Sequence, residues 1–286
     1  MTLQAGSITV NSTYDNWIAD DYYQFYYRKS ICRDERITLK CLVDCLAASS
    51  RRFDRALDYG CGPTLHNAIA VSPYVEALDM ADWSRDNLRT VRNWSHGEPG
   101  AHDWSAFTRY ILGAEGQEIV QARDVLKREQ RARWVIGKLF GTDARHRYPL
   151  GQGYTEHYDL LVSGYCLDCI SGTRVVWRNC MENVLSTLAP GGMLFLNALW
   201  RCSAYQVQDR WFPCADVDVD DLSACLIDNG FEQRTLDIQV FAYPDQEAHG
   251  YPGILVALGR KRMRARRRAT WRAPSLASYA GLAATA

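Results

Sequence analysis

No stretch of the 286 residues is long, apolar and uncharged enough to cross a membrane, and the opening MTLQAGSITV has neither the basic flank nor the apolar run of an export leader. These absences set the expectation of a soluble, cytoplasmic chain with no membrane partner. The ten cysteines lack the dense spacing of a secreted scaffold, and Cys41, Cys45 and Cys225 fall in helix-like segments, which fits a reduced compartment. Cys166-Leu-Asp-Cys169 is a CxxC, but no second ligand pair accompanies it, so no metal or redox site is expected. No segment repeats. Net charge is also absent, since 33 basic and 33 acidic residues cancel. The cancellation hides an asymmetry: residues 260–272 hold eight basic residues and no acid, leaving residues 1–259 near −8. Such a tail can bind nucleic acid, but the acidic body opposes that docking. Residues 261–286 are therefore read as a disordered basic extension, with nucleic-acid binding kept as an alternative function.

What is present is the composition of a globular enzyme, 47% hydrophobic and 23% charged. From Arg55 onward, apolar runs alternate with segments that suit helices. Strands are expected at residues 55–59, 75–81, 108–112, 158–163 and 192–198. Helices are expected at 64–70, 84–94, 117–137 and 173–188. Strand alternating with helix predicts βαβ units and a mostly parallel sheet. The last two runs, 234–242 and 254–259, are separated by YPDQEAHGYPG, too short for a helical crossover, so the sheet should close with an antiparallel strand. A charged helix over residues 121–147 is expected to pack Trp134, Val135 and Leu139 inward. Ahead of the sheet, residues 1–50 form a helical cap or lid. Residues 22–27 hold four tyrosines, and each buried hydroxyl there needs a partner.

Chemistry in an open α/β sheet belongs at the carboxyl ends of its strands. The first strand ends in Asp58 and turns through Gly60, Cys61 and Gly62 into a helix at Thr64. Two close glycines let backbone pass near a ligand where a Cβ would collide. About 20 residues further on, at the end of the second strand, stand Asp82 and Trp83. A carboxylate there can accept from both hydroxyls of a ribose. A dinucleotide turn needs G-x-G-x-x-G, but Leu65 occupies the third-glycine place and Pro63 removes an N–H from the helix entry. Pyrophosphate is disfavoured. An adenosyl cofactor without phosphates remains, which points to S-adenosyl-L-methionine.

The motifs LDYGCGPT, DWSRDNL, CLD and LAPGGMLFLNAL, with the tyrosine-rich DYYQFYY, closely resemble the nicotinamide, phenylethanolamine and indolethylamine N-methyltransferase family over residues 14–260. The resemblance implies an α/β, Rossmann-like class I methyltransferase fold. Its sheet has seven strands, mostly parallel with an antiparallel last strand, and it carries an N-terminal helical cap. The methyltransferase domain would span residues 51–260. The resemblance also implies that Tyr27 lies over the methionine carboxylate and that Tyr22 faces both methyl donor and acceptor. Gly60, Cys61, Gly62 and Thr64 match the glycine-turn contacts, Asp82 the ribose acid, Asn87 a methionine-end contact, and Asp143 and Ala144 the pair beside the adenine. On a straight helix Tyr22 and Tyr27 would point about 140° apart, so this segment is expected to bend or to present its rings from two sides.

The departures bear on the acceptor. Asn197 stands where the nicotinamide enzymes carry an aspartate, and Cys214 where they carry a serine, which argues against nicotinamide. Asp168 matches an acidic residue near the substrate nitrogen, and Tyr205 an acceptor-stacking tyrosine. Trp211 and Phe212 add to an aromatic pocket. The expected reaction is in-line transfer of methyl from S-adenosylmethionine to the nitrogen of a small aromatic amine or indole-type metabolite. Carbon methylation of an indole in natural-product biosynthesis is the alternative. Asp168, Tyr22 and, in the last loop, His249 are the candidate catalytic residues.

Overall fold

The run Phe53–Tyr59 forms β1, the first of seven strands in one sheet. Two helices precede it, α1 (Ala19–Tyr26) and α2 (Arg33–Ser49). The computed structural model describes residue 14 and residues 16–242 and 251–263. His249 and nearly all of the basic tail lie outside the described residues. After β1 come α3 (His66–Val71), β2 (Val75–Asp82), α4 (Arg85–Ser95), α5 (Ser105–Ala114), α6 (Ala122–Val135) and β3 (Ile136–Gly141). The chain then returns through β4 (Tyr158–Gly164), α7 (Arg174–Leu185) and β5 (Leu188–Leu199). A separate hairpin of β6 (Ala204–Val207) and β7 (Arg210–Pro213) leads to α8 (Val219–Asp228), β8 (Asp237–Ala242) and β9 (Gly253–Arg260).

The strand order is β3-β2-β1-β4-β5-β9-β8. Strands β1 to β5 pair in parallel, and β9 enters antiparallel between β5 and β8. This is the expected class I methyltransferase sheet. The order reverses between β1 and β4, and the crevice above their carboxyl ends is where such sheets bind ligands. Consecutive strand residues feed opposite faces, as a period of two requires. Ala56, Leu160 and Val256 pack in one core with α2 to α6, while Leu57, Leu161 and Leu255 pack in another with α7 and α8. The inward face of α2, Leu39, Leu42, Val43 and Leu46, belongs to the first of these cores.

Two expectations are corrected. Residues 108–112 are not a strand but the middle of α5, whose buried residues Phe107, Thr108, Ile111 and Leu112 recur at helical spacing. A five-residue apolar run cannot by itself tell the two periods apart. The third strand is instead β3, inside the stretch expected to continue the charged helix. It is an edge strand whose residues are all at least partly exposed, so it lacks the apolar signal of its neighbours. The helix therefore ends at Val135, and Trp134 is 80% exposed while Ala132 and Val135 turn inward. Helix α3 also begins later than expected, at His66. Among the described residues no helix is long and apolar enough to cross a membrane.

The outward placement of Trp134 can be checked by urea unfolding. Trp134→Ala should change stability by less than about 0.5 kcal/mol. Leu78→Ala, at a fully buried position of β2, should cost about 2–5 kcal/mol. A core-sized loss at Trp134 would contradict the placement.

Candidate active site

The glycine turn after β1 forms the floor of a cavity of about 300 Å³, the lower end of the small-molecule pocket range. Gly60 and Gly62 have φ of +72° and +59°, the left-handed region that favours glycine. At Gly60 space is as restrictive as conformation: an added Cβ would stand 2.0 Å from Cys166 Sγ. The Ala81 carbonyl accepts from both Gly60 N–H at 2.7 Å and Cys61 N–H at 3.1 Å, and Thr64 Oγ1 donates to the Cys61 carbonyl at 2.7 Å.

Asp82, at the end of β2, is buried and faces this turn. Its Oδ2 accepts from Gly62 N–H at 2.8 Å, and its Oδ1 from Ser84 N–H at 2.7 Å and Asn87 Nδ2 at 3.0 Å. A carboxylate offers about four lone-pair positions, so Oδ2 retains one for a ligand hydroxyl. Burial raises the Asp82 pKa, and these N–H donors oppose the rise. Asn87 therefore stands at the putting-together of turn and helix beside the expected ribose acid. Asp143 and Ala144 reach the cavity from the loop after β3, and Arg145 pairs with Asp143 at 2.8 Å and holds its carboxyl below the ordinary range.

The roof comes from the N-terminal segment. Helix α1 stops at Tyr26, and Tyr27 leaves the helical path with φ −117° and ψ −22°. That exit brings Tyr22 and Tyr27 together, rings 5.5 Å apart and hydroxyls 3.5 Å apart, the first of the two arrangements expected. Every tyrosine hydroxyl of the segment has a partner. Tyr23 donates to the Asp103 carbonyl at 3.2 Å, Tyr26 to the Gln206 carbonyl at 2.5 Å and Tyr27 to Glu35 Oε1 at 2.9 Å. Trp17 Nε1 donates to Asn87 Oδ1 at 2.8 Å, and Arg210 pairs with Asp21 at 2.5 Å, tying the roof to α4 and to the hairpin. Tyr14 donates to the Cys169 carbonyl at 2.6 Å and stacks on Phe212, centroids 5.0 Å apart.

The structure thus gathers Tyr22, Tyr27, Gly60, Cys61, Gly62, Thr64, Asp82, Trp83, Asn87, Asp143, Ala144, Asn197 and Tyr205 around one space. It leaves five expected residues off that wall, Asp58, Asp168, Trp211, Phe212 and Cys214. Asp58 is buried beneath the turn, with the Asn67 side chain as its neighbour. Asp168 accepts Leu199 N–H at 2.9 Å on Oδ2 and ties β5 to the loop after β4, while its buried Oδ1 has no hydrogen-bond partner among the described residues; it does not line the cavity. Trp211 pairs with Gln206 in the hairpin and Phe212 with Tyr205, and strand alternation sends Phe212 and Trp211 to opposite faces. Cys214 lies behind Cys169, Sγ to Sγ 3.4 Å.

Residues not foreseen complete the wall. Tyr14 and Trp17 precede the helix, Glu35 and His66 lie beyond Tyr27, and Tyr165 follows β4. Tyr165 sits at φ +48°, a strained backbone for a bulky residue that marks functional positions. Glu35 Oε2 stands 3.4 Å from His66 Nε2, and burial lowers the His66 pKa, with Glu35 opposing.

A model of the NNMT/PNMT/TEMT family matches residues 5–262. The chain belongs to that family. The family members it is similar to include nicotinamide N-methyltransferase of Sus scrofa, 24% identical over 91% of this chain and 98% of that one. Phenylethanolamine N-methyltransferase of Macaca mulatta is 26% identical over 87% and 88%, and indolethylamine N-methyltransferase of Oryctolagus cuniculus 24% over 70% and 75%. In fold the chain is similar to the N-methyltransferase NodS of Bradyrhizobium japonicum WM9, solved with S-adenosyl-L-homocysteine. The TM-score is 0.50 at 15% identity, covering 85% of this chain and 97% of that one.

The enzyme is accordingly an S-adenosylmethionine-dependent methyltransferase of a family acting on small amines. The residues fit that cofactor. The floor is open where a Cβ at Gly62 would stand, and Asp82 keeps a lone pair. Among the described wall residues the one lysine or arginine is Arg145, already paired with Asp143, so no spare cation waits for a phosphate. Aromatic faces at Trp17, Tyr22 and Tyr27 suit a cationic donor.

Two outcomes follow from this geometry. Asp82→Ala should weaken S-adenosylmethionine binding in calorimetry by tenfold or more, of the order expected when a buried charged acceptor is lost. Unchanged affinity would remove Asp82 from the cofactor site. Burial raises the Asp58 pKa from 3.8 to about 7. The unfolded chain ionises first as pH rises, so stability is fully present below about pH 4 and declines through about pH 7. Asp168, raised by burial to about 6, acts in the same sense. Asp58→Asn should flatten the decline measured by denaturant unfolding at stepped pH, leaving the Asp168 share.

Proposed function

We propose that this enzyme methylates the nitrogen of a small aromatic amine or indole-type metabolite. The observation that carries the proposal is the aromatic wall beyond the glycine floor, made by Tyr14, Trp17, Tyr22, Tyr165 and Tyr205 from three separate stretches of chain. A flat aromatic acceptor fills such a slot with ring contacts and leaves its polar end for the hydroxyls. S-adenosylmethionine supplies a methyl carbon made electrophilic by the sulfonium. The chain's own residues then have to align the acceptor nitrogen, exclude water and take a proton. Alignment of this kind supplies several kcal/mol of the barrier reduction.

The proton acceptor is chosen by elimination among the wall carboxylates. Asp82 serves Gly62, Ser84 and Asn87, and Asp143 serves Arg145. Among the described residues Glu35 is held by the Tyr27 hydroxyl, by Thr38 at 3.5 Å and by His66, a ring that burial keeps toward its neutral form. Glu35 therefore takes the role assigned from sequence to Asp168, receiving the proton that an ammonium acceptor must lose.

A panel of aromatic amines and indoles, incubated with isotopically labelled donor and read by mass spectrometry, tests the proposal. Label should appear on nitrogen, and Glu35→Gln should lower kcat about 100-fold or more while still binding the donor. Label on an indole carbon would overturn nitrogen transfer, and labelling of aliphatic acceptors alone would overturn the aromatic slot.

A further inference from the structure

Behind α1 a second, smaller space of about 40 Å³ adjoins the main cavity, enough for one to three water-sized groups. Tyr22, Glu35 and Tyr205 border both spaces, whereas Tyr26, Asp34 and Tyr251 border the smaller one alone. Its lining holds two carboxylates, from neighbouring positions at the start of α2, and six tyrosines. Among the described residues no lysine, arginine or histidine faces it.

Asp34 is 7% and Glu35 4% exposed. The Tyr251 hydroxyl donates to Asp34 Oδ2, and the Tyr27 hydroxyl to Glu35 Oε1. Thr38, from the next turn of α2, donates to Glu35 at 3.5 Å, and His66 faces Glu35 from α3. Neutral hydroxyls satisfy lone pairs but bring no opposing charge, and buried carboxylates without a cation are costly. A cation arriving with a ligand removes that cost, and tyrosine faces add to its attraction. None of the glycine-turn residues, Asp82 or Asp143 borders this chamber, so it is separate from the adenosyl end of the donor site.

We infer that the chamber receives a protonated amino group of the acceptor, with Asp34 as its anchoring carboxylate. The inference rests on the aromatic-amine reading of the acceptor and makes Asp34 a specificity residue for amines over neutral isosteres. The only proton moved is the one Glu35 accepts from the ammonium nitrogen.

The test titrates tryptamine and its neutral analogue tryptophol into the full-length enzyme saturated with S-adenosylhomocysteine, by calorimetry. Wild type should bind tryptamine about tenfold or more tightly than tryptophol, and Asp34→Asn should erase that preference by weakening tryptamine alone, as removal of one partner of a buried charge pair does. Retained tryptophol and S-adenosylhomocysteine binding in the variant certifies its fold. Tyr251→Phe, which keeps the carboxylate, should keep the preference. Equal affinity of wild type for the two ligands would overturn the inference while leaving an aromatic acceptor intact. An equal loss of both ligands in Asp34→Asn, or a loss confined to S-adenosylhomocysteine, would also overturn it, the latter because the cation would then be the donor's own. A wild type that binds neither ligand would overturn the aromatic-amine reading itself, and the inference with it.

Discussion

The end of β2 is the point from which the site is built. The Ala81 carbonyl gathers the N–H groups of Gly60 and Cys61, the Asp82 carboxylate gathers those of Gly62, Ser84 and the Asn87 side chain, and the Asp82 carbonyl receives Thr142 N–H at 3.0 Å. Three segments distant in sequence are fixed to two residues: the turn after β1, the first turn of α4 and the loop after β3. Hydrogen bonds to a charged group contribute about 1.5–3 kcal/mol each, so the shape of the floor is set before any ligand enters. The parallel register of β1 with β2, in which Tyr59 faces Ala81, places this hub beside the glycines.

The roof follows a different logic. Its tyrosines are buried for their rings and anchored by their hydroxyls, mostly on backbone carbonyls. Because α1 ends at Tyr26, Tyr22 and Tyr27 converge although five positions apart, and Tyr27 can reach Glu35 on the next helix. The roof is thus continuous with α2, whose apolar face is part of the main core, and is not a detached flap.

Legibility tracked the range of the interactions involved. The glycine turn and Asp82 were readable because their constraint is local backbone geometry and a fixed spacing along one βα unit. The antiparallel closure was readable because a Pro- and Gly-rich connection is too short to cross over. Strand β3 and helix α5 were exchanged because an edge strand shows little apolar run, while TRYIL shows one without being a strand. Asp168 suggested a base from its motif; its Oδ2 accepts the Leu199 amide, a partner that only the pairing of β4 and β5 supplies. Trp211 was sorted to the far face of a hairpin whose register was not visible. Glu35, His66 and Tyr165 carried no signal: two read as ordinary helix residues, and the third acts through a positive φ that no residue type announces.

The contact between Gly60 and Cys166 reaches beyond the turn itself. The thiol already fills the volume in which a β-carbon at position 60 would stand, so the two positions share a single allowance of space. Enlarging the side chain at 166 would press on the floor from below as surely as adding one at 60. The side-chain size permitted in the loop after β4 is therefore set by the cofactor turn, and relatives that keep the glycine should be confined to small residues opposite it.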